Sequence, residues 1–152
     1  MKYRSDFVTN SSSSSFIVAF KNKADMEEQF KKMCKDYPHY ANVVFQDIEN
    51  HRVPYSVILK DIEERLGWES RYYIRFEMPE YEHKRYDYDW IKSDEFKKVQ
   101  KKYIKAELEK FKNRVNHRGI FAKVTYSDHD NGELEHYIMP KMPFTVKTFS
   151  NH

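Results

Sequence analysis

Between Ser93 and Gly119 the chain carries its longest helical pattern, and the apolar residues within it change direction partway along. Ser93 is placed to cap this helix, and Asp94 and Glu95 put negative charge in a first turn whose free N–H groups favour it. The pattern runs to about Asn116, and Gly119 supplies the stop. At about 100° per residue, Phe96, Val99 and Tyr103 face one way, while Ile104, Leu108, Phe111 and Val115 sit roughly 100° further round. The two ends of such a helix are expected to pack against different things.

The remaining elements are placed around it. "SFIVAF" is a short β-rich run and reads as the first strand. Asn22 caps a following helix, with Asp25 in its first turn, Met26, Phe30, Met33 and Cys34 at helical spacing, and Pro38 as the stop. "HYANVVFQDIENH" is compatible with a buried strand or a helical turn. Pro54 suits the first turn of another helix with the stripe Ile58, Ile62 and Leu66, closed by Gly67. "RYYIRFEM" alternates, with Tyr72, Ile74, Phe76 and Met78 on one face, and predicts a half-buried strand. "PEYEHKRYDYDW" reads as an exposed charged aromatic loop. "GIFAKVTY" and "ELEHYIM" read as strands joined by the hairpin signal Asn131-Gly132, and "FTVKTF" as a last strand after Pro140 and Pro143. This order predicts an α+β fold: a mostly antiparallel sheet of about five strands, with about three helices on one face, in a single domain over residues 1–152.

A core for that fold must come largely from rings, since apolar residues are only 39% of the chain but include 12 Tyr, 11 Phe and 2 Trp. Charged residues make up 34%, yet the net charge is only +3, too small to imply a polyanion partner by itself. The lone Cys34 excludes an intramolecular disulfide and suits a reducing compartment. The opening "MKYRSDFVTN" lacks the apolar core of a signal peptide, and no apolar run approaches the ~20 residues that span a bilayer. The chain therefore reads as soluble and cytoplasmic, with no membrane partner.

Three groups of residues carry chemistry. Asn10, Ser11, Ser12, Ser13, Ser14 and Ser15 lie between the apolar pairs Phe7-Val8 and Phe16-Ile17, which argues for an ordered loop rather than a spacer. Consecutive N–H groups with small hydroxyls are the material of an anion-binding nest, without the glycines and lysine of a P-loop. They equally suit turn hydrogen bonds. Second, "SDHDNGELEH" packs Asp128, His129, Asp130, Glu133, Glu135 and His136 together, and His152 follows at the end. Carboxylates with imidazoles are the donors of a divalent metal site, so Asp128, Asp130 and His136 are the candidate ligands. The competing reading is a polar hairpin tip, in which strand alternation sends Glu135 and His136 to opposite faces.

The third group is basic. From Lys92 to Arg118 there are ten Lys/Arg against four Asp/Glu, and Lys97, Lys98, Lys101, Lys102 and Lys105 fall within a ~140° arc. Such a stripe can neutralise the phosphates of a nucleic acid, and it is also how a solvated helix face looks.

Both ends of the chain resemble a family of small uncharacterised proteins from clostridia, other Firmicutes and their phages. The similarity lies in "RSDFVTNSSSSSFIV" at one end and "YSDHDNGELEHYIMP" with "FSNH" at the other, where Asn151 replaces a frequent histidine. The resemblance implies that Asn10, the serine run, Asp128, Asp130, His136 and His152 act together. It implies no activity. On these grounds the expected function is that of a phage-type accessory protein that works by binding a protein or phosphate-bearing ligand, counter-defence being one form. The alternative is a small metal-dependent hydrolase acting on a phosphate-bearing substrate. A closing strand Phe144–Phe149 paired near the first strand would carry the chain's last residues toward the serines.

Overall fold

A computed structural model describes residues 13–150. The expectations placed on Asn10, Ser11, Ser12 and His152 lie outside the described residues. The chain gathers into two compact units, one made of the chain up to Ile58 and from Val115 onward, the other of Leu59–Arg114.

The first unit is organised by β1, Ser13–Phe20, which begins inside the serine run. Antiparallel β2, Ile120–Ser127, and β3, Thr145–Ser150, flank it in the order β2-β1-β3. Alternation sends Ser14, Phe16, Val18 and Phe20 to one side. There Phe16, Val18 and Phe20 form a core with Met26, Phe30 and Met33 of helix α1, Lys23–Asp36, and Val44 and Ile48 of helix α2, Ala41–Asn50. Rings supply much of that core. Phe30 lies 5.5 Å from Phe144 and 5.1 Å from Phe45, and Phe20 lies 5.1 Å from Phe144. Each such pair contributes about 0.5–1.5 kcal/mol beyond the area it buries.

Asn22 caps α1 by accepting from the Asp25 N–H at 2.8 Å, while the Asp25 carboxylate accepts from the Lys21 N–H at 2.9 Å. The open segment "ANVVFQDIEN" is helical, because Ala41, Val44 and Ile48 recur at helical spacing and are all buried. Beyond it, Arg52 bridges to Ala122 and the Val53 N–H donates to the Phe121 carbonyl at 3.0 Å, which covers part of the outer edge of β2.

The expected five-stranded sheet with three helices is overturned. About two thirds of the described residues are helical, and the sheet has three strands. Two segments account for the difference. "RYYIRFEM" is not a strand: helix α3, Tyr55–Tyr72, passes straight through Gly67 and runs into a π-helical turn at Tyr73–Glu77. An eight-residue alternation contains i,i+4 pairs as well as i,i+2 pairs, and here Tyr72 stacks on Phe76 at 4.8 Å as helical neighbours. "ELEHYIM" is not a strand either, and "SDHDNG" is no hairpin. The inner neighbour of β2 is β1, residues 52–53 cover the start of its other edge, and at its end the Ser127 hydroxyl accepts from the Asp130 N–H and starts a helix where the hairpin turn was expected. The segment coils instead into helix α4, Asp128–Glu133, a π-helical turn at Leu134–Ile138 and a 3₁₀ turn at Met139–Lys141.

The second unit holds most of α3, a 3₁₀ turn at Pro79–Lys84, the short helical turn Tyr88–Ile91 and the long helix Asp94–Arg114. The expected aromatic loop is thus partly helical, with Asp87 accepting from the Trp90 N–H at 3.1 Å to start a turn. Ser93 caps the long helix as expected, accepting from the Phe96 N–H at 3.2 Å. Phe96 joins a cluster with Ile74, Trp90 and Ile91, whereas Phe111 is buried outside it, which matches the change of direction in the apolar pattern. Among the described residues, no helix is long and apolar enough to cross a membrane.

Candidate metal centre

The centre grows from the point where β2 stops. Ser127, in extended conformation, turns its hydroxyl onto the Asp130 N–H at 3.3 Å and so starts helix α4 with Asp128 as its first residue. Asn131 departs from helical geometry at φ −142° and ψ 54°, and the chain then widens into the π-helical turn. Leu134, Ile138 and Met139 anchor that turn in the core. The wide turn leaves Glu135 buried and His136 exposed, so two adjacent residues reach the same spot from inside and outside. Single π-turns of this sort recur at functional sites.

His136 Nε2 stands 2.6 Å from Asp128 Oδ1 and 3.2 Å from Glu135 Oε1. One ligand atom from each of the three side chains lies within 4.8 Å of the others. A single imidazole N–H cannot serve two carboxylates fully, whereas a cation at their meeting point bonds all three donors. Around an ion with bonds of about 2.0–2.2 Å, donors stand roughly 3–3.5 Å apart. The Glu135–His136 pair already meets that spacing, and the Asp128–His136 pair needs to open by less than about 1 Å. One nitrogen with two carboxylate oxygens is a donor set for Zn²⁺ or Mn²⁺.

The serine run enters through Ser14. Phe16, Val18 and Phe20 fix the core face of β1, and Ser14 shares their parity, so its Oγ faces inward and donates to Glu135 Oε2 at 2.8 Å. Glu135 is only 2% exposed. Burying a carboxylate is costly unless donors meet it, and a hydrogen bond to a charged group contributes about 1.5–3 kcal/mol. Ser14 thereby holds one oxygen of Glu135 while the other faces His136.

Neighbouring contacts brace the site. The Tyr40 hydroxyl donates to Glu133 of α4, a bond that raises the phenol pKa. Tyr126, opposite Ser14 in the register, donates its hydroxyl to Asp47 Oδ2 at 2.8 Å, and burial followed by that bond pushes its pKa well up. A polar cavity of about 290 Å³ runs beside β2, lined by Asp47, His51, Lys123, Thr125, Tyr126 and Asn131. Asn131 belongs to α4, so the helix that presents Asp128 also walls this cavity.

The residues singled out from sequence fare differently. Asp128 and His136 come together, but with Glu135, while Asp130 turns to Ser127 at 3.3 Å. Ser13 lies opposite Ser127 in the register and Ser15 meets the Thr125 hydroxyl at 3.0 Å. The closing strand lies against β1 as expected, with Ser150 opposite Ser14. His129 is exposed, and Lys97, Lys98, Lys101, Lys102 and Lys105 are exposed along their helix. Strand parity alone places Glu135 on the face opposite His136. What brings it to Asp128 is the departure at Asn131 followed by the π-helical turn, neither of which the residue spacing announces. No protein-family model, no curated protein and no solved structure matches the chain.

Proposed function

We propose that the protein holds a divalent cation of the Zn²⁺ or Mn²⁺ class on Asp128, Glu135 and His136, and acts there as a small hydrolase on a phosphate-bearing substrate. The observation that carries this reading is the convergence of three ligand atoms within 4.8 Å, one of them on a buried carboxylate steadied by Ser14. When bound, such an ion supplies Lewis acidity to a phosphoryl oxygen and lowers the pKa of its water. The chain's own residues do the rest. Glu135 fixes the inner wall, and Asp128 and His136 face solvent, so coordination positions open outward. The neighbouring cavity, lined by Asp47, His51, Lys123 and Asn131, is the space a substrate beside the ion would enter.

The test is metal content and turnover together. Purified protein is expected to bind Mn²⁺ or Zn²⁺ with a stoichiometry near one by calorimetry, and to hydrolyse a phosphomonoester or phosphodiester with the ion present. Glu135→Gln and His136→Ala are each expected to weaken metal binding at least ~10-fold, the lower end of what disturbing ligand geometry costs. Wild-type protein that takes up neither ion sinks the proposal. Binding without turnover of any phosphoester sinks the hydrolase and leaves an accessory protein that acts by binding.

A further inference from the structure

The outer edge of β2 is paired at its start and open further on. Arg52 bridges to Ala122, the Val53 N–H donates to the Phe121 carbonyl at 3.0 Å, and the Lys123 N–H donates to the His51 carbonyl at 3.2 Å. The ladder stops there, because the His51 N–H turns back to the Ile48 carbonyl at 3.2 Å and closes α2. In an antiparallel strand a residue's N–H and C=O point the same way, and successive residues point to opposite edges. The Lys123 bond therefore sets the main-chain groups of Thr125 outward too, away from β1. Ser15 and Thr125 are accordingly a non-hydrogen-bonded pair, close enough for their hydroxyls to meet at 3.0 Å. Among the described residues, the Thr125 N–H and C=O have no main-chain partner.

This edge lies in a recess. Lys123, Val124, Thr125 and Tyr126 all line the cavity of about 290 Å³. Successive side chains of a strand point to opposite faces, so four consecutive residues share one cavity only along the strand's edge. Asp47 of α2, His51 at its end and Asn131 of α4 supply the walls. An unpaired strand edge is a template for one more strand, and here residues 51–53 have already begun that ladder.

We infer that the cavity takes an extended peptide, whose main chain adds to the edge of β2 as a strand continuing from residues 51–53. Resting on the function proposed above, this makes the substrate a phosphorylated peptide, because β2 runs from Thr125 through Ser127 directly into Asp128. The hydrogen-bond pattern selects the occupant. A strand edge offers N–H and C=O groups in turn, and a peptide chain carries both in the matching alternation. A phosphate ion or a sugar–phosphate backbone brings acceptors for the N–H and no donor for the C=O. A second copy of the chain would present the same recessed edge, and two recessed edges cannot meet. The volume sits at the small end of ligand sites, about 300 Å³, which suits a short stretch of main chain.

The probe is a pool of blocked heptapeptides with a central phosphoserine and random flanks, offered to the full chain with Mn²⁺. The same phosphoserine blocked as a single residue is the reference. At least one peptide is expected to show a kcat/KM ~10-fold or more above the reference, as two net main-chain hydrogen bonds give. N-methylating that peptide at alternate residues should abolish the preference for one set of residues and spare it for the other, since one edge of an added strand faces β2. Thr125→Pro removes an N–H that β1 does not use, at an edge where proline is tolerated, and is expected to cut the preference about fivefold. Thr125→Val keeps that N–H and should hold the preference within about twofold. In EDTA, the unphosphorylated pool should slow amide exchange at Thr125 of the wild-type chain. The N-methyl and exchange readings need no variant, so they decide the matter even where the proline chain does not fold. Hydrolysis of the reference with no peptide preferred, equal losses from both N-methylated sets, or unchanged exchange at Thr125 would each overturn the inference and leave the hydrolase standing. Slowed exchange at Thr125 with no phosphoester turned over sinks the hydrolase and keeps the peptide on the edge.

Discussion

Ser14→Ala removes one hydroxyl and little else, which makes it the sharpest probe of how the serine run and the acidic turn are joined. In the native structure that hydroxyl donates to Glu135 Oε2 at 2.8 Å in a buried setting. Without it the carboxylate loses a donor that water cannot readily replace, a loss of about 1.5–3 kcal/mol for a hydrogen bond to a charged acceptor. Ser15→Ala is the internal control. Ser15 is equally buried, but its hydroxyl meets the neutral hydroxyl of Thr125 at 3.0 Å, so about 1 kcal/mol is at stake.

For a chain of this size each kcal/mol moves Tm by about 2–4 °C, so Ser14→Ala should lower Tm by about 3–12 °C and Ser15→Ala by about 2–4 °C. The reporter matters. Both tryptophans, Trp68 and Trp90, lie in Leu59–Arg114, so their fluorescence follows the second unit and not the sheet. Urea unfolding by far-ultraviolet circular dichroism, with amide exchange across Ser13–Phe20, reads the right part of the chain. A double-mutant cycle with Glu135→Gln should give a coupling of about 1–2 kcal/mol, because the serine has no charge to meet in the glutamine background. Additive effects, or a larger loss in Ser15→Ala than in Ser14→Ala, would refute the reasoning.

Three further expectations follow from single contacts. Tyr126 has its pKa raised above the ordinary 10.0 by burial and the Asp47 bond, so its stabilising share is complete below pH 10 and is lost as pH climbs toward the folded value. Wild type should therefore lose up to about 1.4 kcal/mol per pH unit more than Tyr126→Phe between pH 10 and 11, measured by urea unfolding, and parallel curves would contradict this. A Cβ on Gly119 would stand 2.2 Å from the Phe20 carbonyl oxygen, a backbone atom that cannot swing away, so Gly119→Ala should cost about 3 kcal/mol or more and expose β1 to exchange. A Cβ on Gly67 meets nothing within 4 Å in the body of α3, so Gly67→Ala should stabilise by about 0.8–1 kcal/mol, and a loss of stability would show that the helix does not run through it.

Several elements were legible because their signals were local and redundant. Asn22 with Asp25, Ser93 with Asp94 and Glu95, and the β-branched and aromatic content of "SFIVAF" each name an element without help from tertiary structure. The strand expected over residues 71–78 fails for a physical reason. A period of two, read over eight residues, cannot be separated from helical i,i+4 pairs when no breaker stands before it. "RYYIRFEM" follows a helix whose only interruption is Gly67, a weak breaker with the right backbone. Asn131-Gly132 is a different case: the pair signals a change of direction, and whether a strand or a helix carries it is decided by the Ser127 cap that precedes it.

That same error decided how much of the metal centre could be seen. Under strand parity Glu135 and His136 diverge, and Asp130 becomes the natural third ligand. With the coiled chain that forms instead, Asp128, Glu135 and His136 converge, and Asp130 is engaged by the N-cap Ser127, to which its N–H donates. The serine run then acquires a specific role that its composition conceals. Any of its hydroxyls could bond a carboxylate, so the chemistry is degenerate along the run. Position is not degenerate, because a one-residue slip of β1 would carry Phe16, Val18 and Phe20 out of the core face where they are now buried. Three apolar side chains, each contributing about 1.5–3 kcal/mol on burial, thus fix the register that leaves Ser14 at Glu135. The aromatic core of the first unit sets the polar contact at its edge, and through Glu135 it sets the inner wall of the candidate site.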